Sequence, residues 1–209
     1  MWNKSLIFVF VMPASKTRNI LVDVARQLFA KHGLENTTMN DIAVASGKGR
    51  RTLYTYFRSK EEVYLAVVET ELERLSAKLF EVAGRKMDLE EKLVEMIYVH
   101  LSSIKEVVLR NGNLRAEFFR DIWMVEKVRK HFDQKETQYL ISILNEGNAS
   151  GEFAVENVAL VADVVHYCVK GLEVPYIYGR LGEGLKKEET RKIVKTLIHR
   201  ALRNDAGNY

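Results

Sequence analysis

Between Ile42 and Lys60 the chain carries five basic residues, Lys48, Arg50, Arg51, Arg58 and Lys60, and no Asp or Glu. Thr52, Tyr54, Thr55 and Tyr56 stand among them. Guanidinium, ammonium, hydroxyl and phenol groups in one short stretch are donors suited to phosphate oxygens and base edges. A charge run alone reads more simply as a solvated face of a helical bundle, so the neighbouring residues must decide. Signals for other chemistry are absent. The five histidines (His32, His100, His131, His166, His199) form no i, i+4 pair of the kind zinc-binding helices use. There is no glycine-rich phosphate loop before a helix and no Gly-x-Ser-x-Gly elbow. The acid pairs Glu90-Glu91 and Glu188-Glu189 are adjacent, so on a helix they point apart and read as surface. No catalytic residue, metal ligand or cofactor is expected, and the chain is not expected to be an enzyme.

The elements around the basic stretch place its donors on one face. Thr38 suits a helix N-cap, Asp41 suits the positive end of that helix, and Met39, Ile42 and Ala43 supply one apolar side. Gly47 ends the helix in a turn kept tight by Gly49. A second helix starts near Arg50, with Leu53 and Phe57, four apart, facing inward together. Arg50, Arg51, Thr52, Tyr54, Thr55 and Tyr56 are left for the outside. Ser59, with Glu62 three places on, reads as a capping box opening a third helix. Caps, turn glycines, inward pair and polar outward face agree in register, which predicts a helix-turn-helix that enters DNA.

Residues 37–61 resemble the DNA-binding signature of TetR-family transcriptional regulators. Thr38, Ile42, Ala43, Gly47, Thr52, Leu53, Tyr54, Tyr56, Phe57, Lys60 and Glu61 fall on that pattern without a gap. Three positions depart: Lys48 stands for the usual Val, Gly49 for the usual Ser cap, and Arg51 for the usual Gly. Glycine caps a helix start only slightly less well than serine, so the departures bear on which bases are read and leave the fold intact. The resemblance implies base contacts from Lys48, Arg50, Arg51, Tyr54 and Thr55, and phosphate contacts from Thr38, Thr52, Tyr56 and Lys60. It also puts Lys16, Thr17 and Arg18 near the DNA backbone.

The rest of the chain reads as helical. Its 209 residues are 47% hydrophobic and 29% charged, with only two prolines, so linkers and low-complexity segments are not expected. Charge is unevenly placed: residues 1–60 hold ten Lys or Arg against three Asp or Glu, and residues 61–209 hold 22 against 25. The basic footprint is therefore N-terminal. A stripe of Ile20, Leu21, Val24, Ala25, Leu28 and Phe29 predicts a helix from Lys16 to Lys31. Leu65, Val68, Leu72, Leu75 and Leu79 stripe a longer one from Ser59 to Val82, broken at Gly84–Asp88. Leu93, Ile97, Leu101 and Ile104 face inward on the next, capped by Asp88. A short aromatic helix over 113–123 and another from about Val125 to Leu144 follow, the latter ended by Asn145-Glu146-Gly147 and the Ser150-Gly151-Glu152-Phe153 turn. Pro175 is expected to kink or end a helix, and Cys168, the one cysteine, reads as a small buried residue in a reducing cytoplasm.

The first dozen residues fit poorly. Leu6 to Met12 is a run at the lower limit of a signal-peptide core and too short to span a bilayer. An apolar arm, or translation beginning at Met12, fits a DNA reader better.

The expected fold is all-α: a helix-turn-helix DNA-binding domain over 13–60 and a helical ligand-binding and dimerisation domain over 61–205. Val158, Val161, Ala162, Val165, Cys168, Val169 and Leu172 make one very apolar helix, and Ile193, Val194, Leu197, Ala201 and Leu202 stripe a second. Paired with the same two helices of another copy they form a four-helix interface, so a homodimer and an inverted-repeat operator in double-stranded DNA are expected. A pocket for an unknown small-molecule effector is expected among Tyr98, Phe118, Phe119, Trp123, Tyr139, His166, Tyr167, Tyr176 and Tyr178, although aromatics at helical spacing are more often plain core. The function expected is a cytoplasmic regulator, a repressor released by that effector, with no membrane partner. The alternative is a DNA-tethered adaptor whose C-terminal domain binds a protein and no ligand.

Overall fold

The structure is a computed structural model that describes residues 16–110 and 122–203, with only the backbone given for Arg110 and residues 122–125. Residues 1–12, Phe118, Phe119 and the Trp123 side chain, all named above, lie outside the described residues. Eight helices and no strand occur among those described: α1 (Lys16–His32), α2 (Met39–Ala45), α3 (Arg50–Tyr56), α4 (Lys60–Ala83), α5 (Leu89–Arg110), α6 (Ile122–Ser150), α7 (Val158–Ile177) and α8 (Lys187–Leu202).

Apolar spacing explains the packing. α1 buries Leu21, Val22, Ala25 and Phe29, and the Phe29 ring meets Tyr64 of α4 edge-on at 6.3 Å. α4 is the shared element. Its start buries Val63, Tyr64 and Val67 under the N-terminal helices, and Leu72, Leu75, Leu79 and Val82 continue the stripe into the C-terminal bundle. Charge reinforces the joint: Arg26 and Arg74 both approach Glu71, at 3.9 and 3.0 Å, and Arg74 also reaches Asp23 of α1. In the bundle α4 packs on α5, α5 on α7, α7 on α6 and α6 back on α4, with α8 against the outside of α5. One continuous core runs from Leu21 to Leu202.

Asp88 caps α5, accepting the Glu91 N–H at 2.9 Å, as the sequence leads one to expect. Elsewhere the boundaries differ. α6 does not stop at Asn145-Glu146-Gly147 but runs to Ser150, because Gly147 serves close packing: a Cβ there would lie 2.0 Å from the Phe153 ring. The turn falls on Gly151, at φ 78, inside the Ser150-Gly151-Glu152-Phe153 stretch where the sequence expects one. α7 passes through Pro175 and ends at Ile177, and the Pro175 carbonyl accepts the Arg180 and Leu181 N–H groups. At the start of α4 only half of the expected capping box forms. Ser59 accepts the Glu62 N–H at 3.3 Å, but Glu62 turns its carboxylate to the Arg58 N–H at 2.7 Å. Cys168 is exposed, not buried, because α7 is apolar on its outward side as well. Among the described residues no helix is long and apolar enough to cross a membrane.

Candidate nucleic-acid interface

α2 and α3 are held at a fixed angle by hydrogen bonds that the sequence encodes locally. Thr38 Oγ1 accepts the Asp41 N–H at 3.1 Å and the Asp41 carboxylate accepts the Thr38 N–H at 2.8 Å, a reciprocal capping box. The Thr38 hydroxyl, which also donates to that carboxylate at 2.7 Å, and then the Thr38 N–H hold the Asp41 carboxyl below its ordinary value. At the other end Gly47 takes φ 64, the Gly47 N–H reaches the Val44 carbonyl, and the Lys48 N–H reaches Ala43 at 3.0 Å. This is a Schellman turn, which needs a residue at ease in the left-handed region. Gly49 then caps α3 from an extended conformation with no side-chain bond.

α3 anchors through Leu53, and Phe57 follows it into the core. Arg50, Arg51, Tyr54, Thr55 and Tyr56 are exposed, while Lys48 and Thr52 are half-buried at the turn. None of Lys48, Arg50, Arg51 or Arg58 has an acidic partner within 4 Å among the described residues. The face thus presents uncompensated cations beside phenols, the donor set that a duplex groove and its phosphates accept.

Three residues of that set are already engaged. Lys60 turns its ammonium inward, donating to the Leu34 carbonyl at 2.7 Å and to Glu35 at 3.3 Å. It ties the start of α4 to the loop after α1, a positioning role that takes two of the ammonium's three N–H donors. The Thr38 hydroxyl donates to Asp41 at 2.7 Å and the Thr55 hydroxyl to the Arg51 carbonyl at 2.9 Å, leaving both only as acceptors. Sequence spacing carries no sign of the Lys60 partners, which lie 26 and 25 residues back.

Among the described residues, the aromatics expected around a pocket take different surroundings. Tyr98 is buried under the Arg191 guanidinium, Tyr139 meets Phe80 at 6.1 Å, and Tyr176 pairs its hydroxyl with Ser102 at 3.1 Å. Tyr167 is 66% exposed and Tyr178 50%, so both look outward. His166 lies in a buried charge network.

Residues 21–67, the segment spanning most of α1 to the start of α4, match the family model described as bacterial regulatory proteins, tetR family. This segment is similar to the N-terminal DNA-binding part of the TetR family of transcriptional regulators. Among its relatives is the transcriptional regulator QacR of Staphylococcus aureus, 24% identical over 155 residues that cover 73% of this chain and 81% of QacR. The transcriptional repressor KstR2 of Mycolicibacterium smegmatis is 28% identical over 145 residues, covering 68% of this chain and 69% of KstR2. A transcriptional regulator of Cytophaga hutchinsonii shares the fold, with a TM-score of 0.68, 24% identity, and coverage of 89% of this chain and 98% of that one.

What the family signature leaves unread is the interior of the C-terminal bundle. His100, at the centre, has Glu136 of α6 2.5 Å from Nδ1 and Glu173 of α7 2.9 Å from Nε2. A neutral imidazole has one donor, so two carboxylates on its two nitrogens require the imidazolium. Burial opposes that charge, yet Glu136 and then Glu173 outweigh it and raise His100 to about 9. His166 donates to the other oxygen of Glu136 at 2.7 Å. Burial is again outweighed, by Asp133 and Glu136, and His166 also rises to about 9. Burial would push Glu136 up, but the two imidazoliums bring it down to about 2. Arg129 clasps Glu173 with two bonds, at 2.6 and 3.2 Å, and Lys170 holds Asp133 at 2.7 Å. Spacing could not reveal this, since the partners lie 30 to 73 residues apart. Among the described residues no group of three or more His, Cys, Asp or Glu is arranged to hold a metal ion.

Proposed function

We propose that this regulator is a cytoplasmic, homodimeric repressor that reads an inverted-repeat operator in double-stranded DNA and leaves it when a small molecule binds the C-terminal bundle. The observation that carries the reading is the α3 face, where Arg50, Arg51 and Tyr54 stand exposed with no acid beside them. In this reading residues 13–60 are the DNA-binding domain and 61–205 the effector and dimer domain. Arg50, Arg51 and Tyr54, with Lys48 and Thr55, address base edges, while Thr52, Tyr56 and the acceptor oxygen of Thr38 lie along the backbone. No catalytic role is assigned.

The dimer reading draws on the outward side of α7 and α8. Leu160, Val164, Tyr167, Cys168 and Val174 on α7, and Ile193 and Leu197 on α8, are exposed, an apolar face out of keeping with a lone monomer. Two copies joined there carry two heads for half-sites spaced about 34 Å or a multiple. The name of the KstR2 relative, a transcriptional repressor, supports repression. Release requires the effector to prefer a dimer whose heads are mis-spaced, with a coupling of about 1–3 kcal/mol. Footprinting on the intergenic DNA beside the protein's own gene, with excess competitor and a salt series, tests this. A protected inverted repeat is expected. Binding that is weak, collapses with salt and leaves no footprint would refute it.

A further inference from the structure

A cleft of about 500 Å³ opens where the reading head meets the bundle, well within the roughly 300–1,000 Å³ of small-molecule sites. Its floor is apolar: Leu65, Ala66 and Leu72 of α4 face Val128 and Phe132 of α6, and Phe57, the residue that ends α3, closes it at the head. Charge divides across the opening. On the α4 side Glu69 pairs with Arg18 at 3.5 Å, while Glu73 and Glu62, whose carboxylate accepts the Arg58 N–H, remain anionic. On the α6 side Lys127, His131 and Lys135 stand at i, i+4 and i+8, one stripe along the opening, and none has an ion-pair partner within 4 Å among the described residues. An apolar slot with two lysines and no acid on its α6 lip suits a ligand with an apolar body and an anionic head that sits on that lip.

We propose that this interdomain cleft is an effector site for an amphipathic organic carboxylate, its body against Leu65, Leu72 and Phe132 and its head on Lys127 and Lys135. The assignment rests on the reading of an effector-responsive DNA binder and gives that effector a place and a chemical class. A ligand here touches the end of α3 and the wall of α6 at once. Filling the cleft therefore sets the angle between head and bundle, which is the differential contact that release from DNA requires.

The test uses the full chain and three probes of one length, decanoate, decanol and decylamine, below their micelle-forming concentrations, by titration calorimetry. Decanoate is expected to bind about tenfold more tightly than either other probe. The double variant Lys127→Glu/Lys135→Glu, changed only at the rim, is expected to keep the wild-type melting temperature and decanol affinity while losing decanoate affinity about tenfold or more. Decanoate is also expected to weaken binding to the selected operator about fivefold or more in the wild type and not in the variant. Decanoate binding no tighter than decanol, tightest binding by decylamine, or a double variant that binds decanoate as the wild type does, would each overturn the site while leaving the DNA reading intact. If instead no sequence-specific DNA binding exists, the regulator reading falls, and the calorimetry still judges the cleft.

Discussion

Raising the pH from 7 to 10 takes the protons off the buried imidazoles, and the structure sets the size of the effect. His100 is completely buried between Glu136 and Glu173 and titrates at about 9 instead of 6.5. A group whose affinity for its proton rises on folding stabilises fully below its unfolded value and loses that contribution as pH climbs through the folded one. For His100 the window therefore runs from pH 6.5 to about 9, and at about 1.4 kcal/mol per pH unit its contribution is about 3 kcal/mol. His166 shares Glu136, so the two do not simply add. For a chain of this size such a loss lowers the melting temperature by about 6–12 °C. The carboxylate side runs oppositely: Glu136, held at about 2, contributes above 4.5 and gives that up only as pH falls through about 2. Glu136→Gln keeps the shape and removes the anion between the imidazoliums. Urea unfolding at pH 7 should show it destabilised by about 3–5 kcal/mol, the usual cost of leaving buried charges without their partner. Between pH 7 and 10 the wild type should lose more stability than the variant, so the two draw together. The exposed Glu188→Gln is the control. Parallel pH profiles for wild type and Glu136→Gln would refute the assignment of charged imidazoles to this cluster.

Five further variants have expected outcomes. Arg51→Ala should relax base preference by about 1–3 kcal/mol at one position of each half-site in a panel of operator variants, whereas Lys60→Met should cost the fold about 1.5–3 kcal/mol in denaturant titrations and leave base preference unchanged. Gly147→Ala, whose new methyl meets the Phe153 ring at 2.0 Å, should cost about 1–3 kcal/mol, and Gly47→Ala, with open space but φ 64, only about 1–2 kcal/mol, both read by thermal melts. Val164→Glu, at a position 53% exposed on α7, should leave the fold intact and shift sedimentation from dimer to monomer, abolishing operator affinity.

The reading head was legible because its instructions are local. Thr38, Gly47 and Leu53 act on neighbours within five residues, and the structure places each where spacing alone puts it. Helix stripes such as Leu72-Leu75-Leu79 were equally plain, since burial follows period. Long-range partners were not legible. Nothing in sequence ties the Lys60 ammonium to Leu34, 26 residues back, and the Glu136 and Glu173 carboxylates were ordinary helix residues until His100 was found between them. Gly147 misled for a related reason, because a glycine that ends a helix and one that admits a ring from elsewhere look the same in sequence. The side that each aromatic of α7 takes was not legible because a helix apolar on both sides gives no hint which of its rings turn out, and Tyr167 and Tyr178 do.

The central claim, a dimer that reads sequence through α3, is tested most directly by selection of bound DNA from a random duplex library with the full-length protein. The account predicts enrichment of one inverted repeat with half-site centres about 34 Å apart or a multiple, and loss of that enrichment in Arg50→Ala/Arg51→Ala. Recovery of no common motif, or of the same motif by the double variant, would contradict it.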